Sequence, residues 1–129
     1  MTTDERTVRV EVVWREPVDE GEVGLQDKSG ELVAGTPQSD GSVRYEVDVP
    51  VRPRRGGGGL DFAGPHVHGS AGERFLYLSF RRPGEAAWFR RSKILLPESA
   101  PESAATLRAT VVDVSGSRAG LDPAGWVEA

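Results

Sequence analysis

His66 and His68 are the only histidines in the chain, and they stand two residues apart in the stretch GGGGLDFAGPHVHGSAGERFLYLSF, residues 56–80. In extended backbone such a spacing puts both side chains on one face, so the pair could offer two imidazoles to a single metal ion. A third ligand would have to come from Asp61 or Glu73, the nearby acids. The competing reading is two loop histidines bonded to water or backbone, and the Gly-Pro and Gly-Ser flanks favour it. No resident metal is therefore expected, with His66 and His68 the residues that would hold one. Imidazole also titrates near neutral pH, so His66, His68 and the phenol of Tyr77 are the candidate acid and base groups.

The glycine run at 56–59 suggests a phosphate loop, but the spacing GxxxxGK[ST] is absent and no helical pattern follows. Dinucleotide binding fails on the same ground. RPRRGGGGLDFAGP reads instead as a long loop beside a sheet, either a lid over a pocket or an unstructured bulge. No GxSxG elbow occurs, and no carboxylate pair for glycoside chemistry is identifiable. Ser70 and Ser79 lie near the histidines in sequence, but a catalytic triad is defined by geometry.

WFRRSKILL, residues 88–96, carries a different chemistry. Alternation puts Trp88, Arg90, Ser92 and Ile94 on one face and Phe89, Arg91, Lys93 and Leu95 on the other. Cations beside aromatic rings suit a planar anion, and the guanidinium fork favours carboxylate or phosphate. Asp61, Arg74, Trp88 and Arg90 form the candidate ligand-binding set. Arg91 and Lys93 are read as a wet face whose stems cover apolar surface. Residues 52–93 hold nine basic and three acidic groups, a balance of +6 that leaves −10 on the rest of a chain of net charge −4. Such asymmetry marks either an anion-binding surface or basic strands paired with acidic neighbours.

The elements that must position these groups are strands. Thr7–Trp14 and Ser42–Val51 alternate apolar and polar residues with period two, and Pro50 and Pro53 are expected to end the second ladder. Glu22–Gln26 and Glu31–Ala34 form a hairpin around DKSG, and Asp40-Gly41 makes a further turn. Arg74–Arg81 is apolar on both faces, as central strands are, and Trp88–Leu96 returns as its partner. Leu107–Val114 follows, with Leu121–Val127 a last, irregular strand. PESAPESAA, residues 97–105, reads as a solvated connector or a single helical turn.

About eight short strands joined by glycine and proline turns indicate one all-β domain over residues 1–129, an antiparallel sandwich or small barrel, with residues 1–5 and 97–105 flexible. The expected core is Val8, Val10, Val12, Val43, Tyr45, Val47, Leu76, Leu78, Phe80, Leu95 and Val111. No run of about eighteen apolar residues is present, so no membrane span is expected. The absence of cysteine and a polar N-terminus point to the cytoplasm.

Three stretches, EVGLQDKSGELV, LDFAGPHVHGSAGERFLYLSF and AAWFRRSKILL, together resemble a family of small bacterial proteins catalogued as a domain of unknown function. The features carrying the resemblance are an ALQ-type hairpin, a GPxxxG turn, an RFxYL strand and an RRxK strand, spanning about Val8 to Leu96. It implies that Gly64, Pro65, Gly69, Arg74, Phe75, Tyr77, Leu78, Arg90, Arg91 and Lys93 belong to the shared pattern, and that positions 66 and 68 vary. It names no reaction.

The function expected from these residues is that of a small-molecule-binding β domain. An apolar cavity between the sheets, gated by residues 54–72, would hold an anionic or carbonyl-bearing organic molecule against a basic rim. Such a site would serve simple binding or cofactor-free cyclisation or isomerisation, and no cofactor is expected. The alternative is a non-catalytic interaction module meeting an acidic protein partner through its basic face or a sheet edge. Nucleic acid is disfavoured by a pI of about 5.2 and the lack of a recognised motif.

Overall fold

The computed structural model describes residues 6–18, 21–54, 56, 59–70, 73–101 and 106–129. The described residues form twelve strands in two sheets, and the chain crosses between the sheets several times. β1 (Arg6–Trp14) opens the first sheet, and the hairpin β2 (Glu22–Gln26) and β3 (Leu32–Ala34) belongs to the second. β4 (Thr36–Pro37), β5 (Val43–Pro53) and β6 (Leu60–Phe62) return to the first, while β7 (His68–Ser70), β8 (Glu73–Arg81) and β9 (Trp88–Leu95) complete the second. β10 (Thr106–Asp113), β11 (Gly120–Leu121) and β12 (Val127–Glu128) finish the first. The sheets stay separate, so the sandwich is the architecture adopted rather than the barrel. The strands outnumber the eight expected because several of them are only two or three residues long, too short to show a period in sequence.

Alternation in β1 and β5 builds the inner face of the first sheet, with Val8 opposite Val49, Val10 opposite Val47 and Val12 opposite Tyr45. β10 runs parallel to β1 on its other side and adds Leu107, Ala109 and Val111. The second sheet answers with Leu25, Leu76, Leu78, Phe80 and Ile94, all essentially inaccessible to water. Each such side chain contributes about 1.5–3 kcal/mol by leaving water. Trp14 and Phe80 meet edge to face across the sandwich, their centroids 5.7 Å apart. Burial of its ring pushes the Tyr45 phenol up to about 12.

Two core expectations need correction. Leu95 is only half-buried, and Ile94 takes its place, because Ile94 pairs with inward-facing Leu76 and Leu95 with outward-facing Phe75. Val43 is also only partly covered. Nor does Pro50 end the strand, which runs on through Val51 and stops at Pro53 as the second proline leads one to expect. The Pro50 carbonyl accepts a hydrogen bond from the Ala63 amide at 2.9 Å on the β6 side. A strand residue points its nitrogen and its carbonyl to the same side, so the imide nitrogen also faces away from β1 and no β1 bond is lost.

The connector 97–105 divides. Residues 1–5 and 102–105 lie outside the described residues, but Ala100 is buried and its amide donates to the Leu60 carbonyl at 2.9 Å. The Arg6 guanidinium donates to the Pro101 carbonyl, so this part of the segment is tied to the sandwich and contains no helical turn.

Three turns share an Asp-x-Ser pattern: Asp27-Lys28-Ser29, Asp40-Gly41-Ser42 and Asp113-Val114-Ser115. In each, one carboxylate oxygen accepts from the serine amide at 2.9–3.0 Å and from its hydroxyl at 2.6–2.7 Å. The Ser29 hydroxyl at Asp27, the Ser42 hydroxyl at Asp40 and the Ser115 amide at Asp113 are the leading causes holding these carboxyls below the ordinary 3.8. A carboxyl whose folded pKa is depressed stabilises the fold above its unfolded value and loses that contribution as pH falls through the folded one. Thermal stability is therefore expected to decline below about pH 4. The triple Asp→Asn variant at 27, 40 and 113 should flatten that decline, and a melting series between about pH 5 and pH 2.5 would check it.

Candidate functional site

At the end of the sandwich where β5 and β9 finish and β8 begins, two depressions adjoin. The larger has a volume of about 830 Å³ and mixes apolar walls (Phe62, Leu95, Leu96) with Arg54, Asp61 and Arg74. The smaller, about 390 Å³, is framed by the turn from Gly64 to Gly69 and by Lys28, Arg52 and Arg74. Arg52, Phe62, Ala63 and Arg74 line both, making one continuous groove.

Backbone pairing places these charges. Arg52 stands opposite Asp61 across β5 and β6, and Arg74 stands opposite Gly69 across β8 and β7. One Asp61 carboxylate oxygen receives Arg54 Nε at 2.9 Å and Arg74 Nη1 at 3.4 Å, with all three side chains about one-quarter to one-third exposed. Arg54 also donates to the Glu98 carbonyl at 2.8 Å and the Ser99 hydroxyl at 3.2 Å, joining β5 to the connector after β9. Such exposure keeps each ion pair within about 1 kcal/mol, but shared partners reduce the freedom of the arginines before any ligand arrives.

The turn itself is shaped by glycine. Gly69 has φ +94°, and a Cβ there would lie 2.2 Å from the Glu73 carbonyl oxygen. Only glycine lets β7 close on β8 at this point. The Lys28 amide donates to the Pro65 carbonyl at 2.8 Å, which brings the β2–β3 turn against this loop and Lys28 to the groove.

Of the candidate ligand-binding residues, Asp61 and Arg74 therefore meet, whereas Trp88 and Arg90 sit on β9, outside the linings of both depressions. The expectation that Trp88 and Arg90 share a face is corrected. A bulge shifts the register so that Arg90 pairs with Phe80 but Trp88 with Arg81, and the inserted Phe89 reverses the alternation. Arg90 lies over the Phe80 ring at 4.3 Å on the inner side, and Trp88 lies beneath the Arg81 guanidinium at 4.9 Å on the outer.

The histidines separate as well. His66 sits in the Gly64–Val67 turn, near Asp27, while His68 lies in β7. His68 Nε2 is 2.7 Å from the Gln26 carbonyl, so this nitrogen carries the proton, and the ring packs on Phe75 and Tyr77 at 5.9 and 4.7 Å. No group of three His, Cys, Asp or Glu that could hold a metal exists among the described residues. None of His66, His68 and Tyr77 lines either depression. The outer face of the second sheet gathers His68, Phe75 and Tyr77 instead, with Lys93 over Phe75 at 4.6 Å and Arg91 over Tyr77 at 4.7 Å.

Lys28, Arg52 and Arg54 escape residue-by-residue sequence reading. The two arginines register there only through the charge excess of residues 52–93, and Lys28 gives no signal, since a hairpin turn places it. Much of that excess is paired with acids: Arg81 with Glu22 at 2.8 Å, Lys93 with Glu73 at 3.9 Å, and Arg54 and Arg74 with Asp61. Arg52, Arg54 and Arg74 also line the larger depression.

No curated protein and no solved structure matches the chain. Among the described residues no helix is long and apolar enough to cross a membrane. The model of DUF5990, a family of unknown function, matches residues 8–125, which extends the resemblance seen in the sequence past Leu96 through most of the tail, and the chain belongs to this family.

Proposed function

We propose that the domain binds a small organic anion, with a carboxylate or phosphate at Lys28, Arg52 and Arg74 and an apolar body against Phe62, Leu95 and Leu96. The observation that carries this reading is the smaller depression, whose described lining brings the cations Lys28, Arg52 and Arg74 together beside Phe62 and Val67. A planar anion gains paired hydrogen bonds from each guanidinium it meets, and the adjoining apolar wall favours an organic body over an inorganic ion. Binding is favoured over cofactor-free catalysis because the candidate acid and base groups lie outside the groove. The absence of cysteine supports a cytoplasmic setting, and the resemblance supports a bacterial one.

A thermal-shift panel of inorganic phosphate, aliphatic dicarboxylates, aryl carboxylates and organic phosphates tests the reading. Native-state binding at about one hundred times Kd adds about 2.7 kcal/mol. The organic anions are expected to exceed phosphate, and the double variant Lys28→Ala/Arg52→Ala is expected to weaken them at least about tenfold in calorimetry. Unchanged affinity in that variant, or no shift from any anion at millimolar concentration, would reject the groove as the site.

A further inference from the structure

The outer edge of β9 is capped by the chain over only half its length. The Lys93 amide donates to the Ser117 carbonyl at 2.8 Å and the Lys93 carbonyl accepts from the Ala119 amide at 2.7 Å, so residues 117–119 add a short parallel segment to this edge. The Leu95 carbonyl, on the same side, accepts from the Trp126 indole at 2.6 Å. Alternate residues of a strand direct their amide and carbonyl to the same side. Arg91 therefore points both groups outward as Lys93 does, and among the described residues neither has a partner. Beside this opening Phe89 is 38% exposed, far more than most of the chain's large apolar side chains. Arg82 lies over its ring at 5.0 Å. Arg82 and Arg91 touch aromatic rings, and neither forms an ion pair with a carboxylate among the described residues.

We infer that the β9 edge at Arg91 receives an extended acidic segment of a partner protein, added as a strand ahead of residues 117–119. The unpaired backbone groups supply the hydrogen bonds common to strand addition, and Arg82 and Arg91 select for carboxylates. A second copy of this chain is the natural competitor for an open edge. Antiparallel pairing of β9 with itself about Arg91 sets Arg91 against Arg91, and like charges directly opposite oppose pairing. The same charge that bars self-association thus favours an acidic guest, and the Phe89 bulge further unfits the edge for an identical strand.

The test titrates the full chain with a short capped peptide of alternating valine and glutamate, followed by calorimetry and amide chemical shifts. Controls are the same peptide with lysine for glutamate and one N-methylated along its pairing edge. The acidic peptide is expected to shift the Phe89–Arg91 amides and to bind at least about tenfold tighter than either control. Arg91→Glu should lose that binding, while Arg9→Glu, on the outer face of the first sheet, should keep it. Equal binding of the N-methylated peptide, shifts confined to another surface, or full affinity in Arg91→Glu would overturn the inference. So would a dimer of the unliganded chain, in ultracentrifugation, that Phe89→Asp dissolves. The anion groove lies elsewhere, so Lys28→Ala/Arg52→Ala should leave peptide binding intact.

Discussion

Phe80→Ala is expected to lower the unfolding free energy by about 3–5 kcal/mol, the largest effect of any single truncation here. Phe80 is fully buried, meets Trp14 of the opposite sheet edge to face and carries Arg90 over its ring at 4.3 Å. Truncation leaves a cavity between the sheets, removes the aromatic contact that joins them, and takes away the surface against which a partly buried guanidinium rests. In a domain of this size the loss corresponds to a fall in melting temperature of roughly 10–20 °C. Phe89→Ala, one bulge away and 38% exposed, should cost less than about 1 kcal/mol. Denaturant unfolding of the two variants checks the contrast, and similar losses would mean that the sandwich is not closed through Phe80.

Gly69→Ala is expected to cost about 2–4 kcal/mol and to abolish anion binding with it. Two separate penalties combine at this position. The backbone sits at φ +94°, where a Cβ is strained, and the added methyl would meet the Glu73 carbonyl oxygen at 2.2 Å. That oxygen is main chain and can yield only if β7 moves off β8. Gly84→Ala isolates the first penalty, because Gly84 has φ +81° but nothing within 4 Å of the methyl that alanine would add, and it should cost about 1 kcal/mol. Since Gly69 lines the smaller depression opposite Arg74, displacing β7 reshapes the wall beside that cation, so Gly69→Ala should lose ligand protection and Gly84→Ala should retain it. Equal stability of the two variants would show that close strand approach is not what requires glycine at 69.

The candidate site was legible in the sequence in its charges and not in its assembly. Asp61 and Arg74 are thirteen residues apart and come together because β6 and the start of β8, held in different sheets, meet at one end of the sandwich. Lys28 reaches the same groove from a hairpin turn, through a backbone bond to Pro65 that no local pattern encodes. Trp88 and Arg90 looked equivalent by alternation, and a single inserted residue put them on opposite faces. The histidine pair looked like a shared face because extended backbone was assumed, whereas a turn holds His66 and a strand holds His68.

By itself the sequence determined the all-β class, the long strands and most of the core, because side-chain alternation is a local property that burial of one sheet face makes obligatory. It also determined the turns, since glycine and the Asp-x-Ser pattern act within a few residues. Tertiary structure alone decided which strands share a sheet, the parallel pairing of β1 with β10, the half-capped edge of β9 and the convergence of cations on one groove. Those outcomes depend on strand register and on contacts between distant segments, and a one-residue bulge or a two-residue strand is enough to change them without altering the period that sequence reveals.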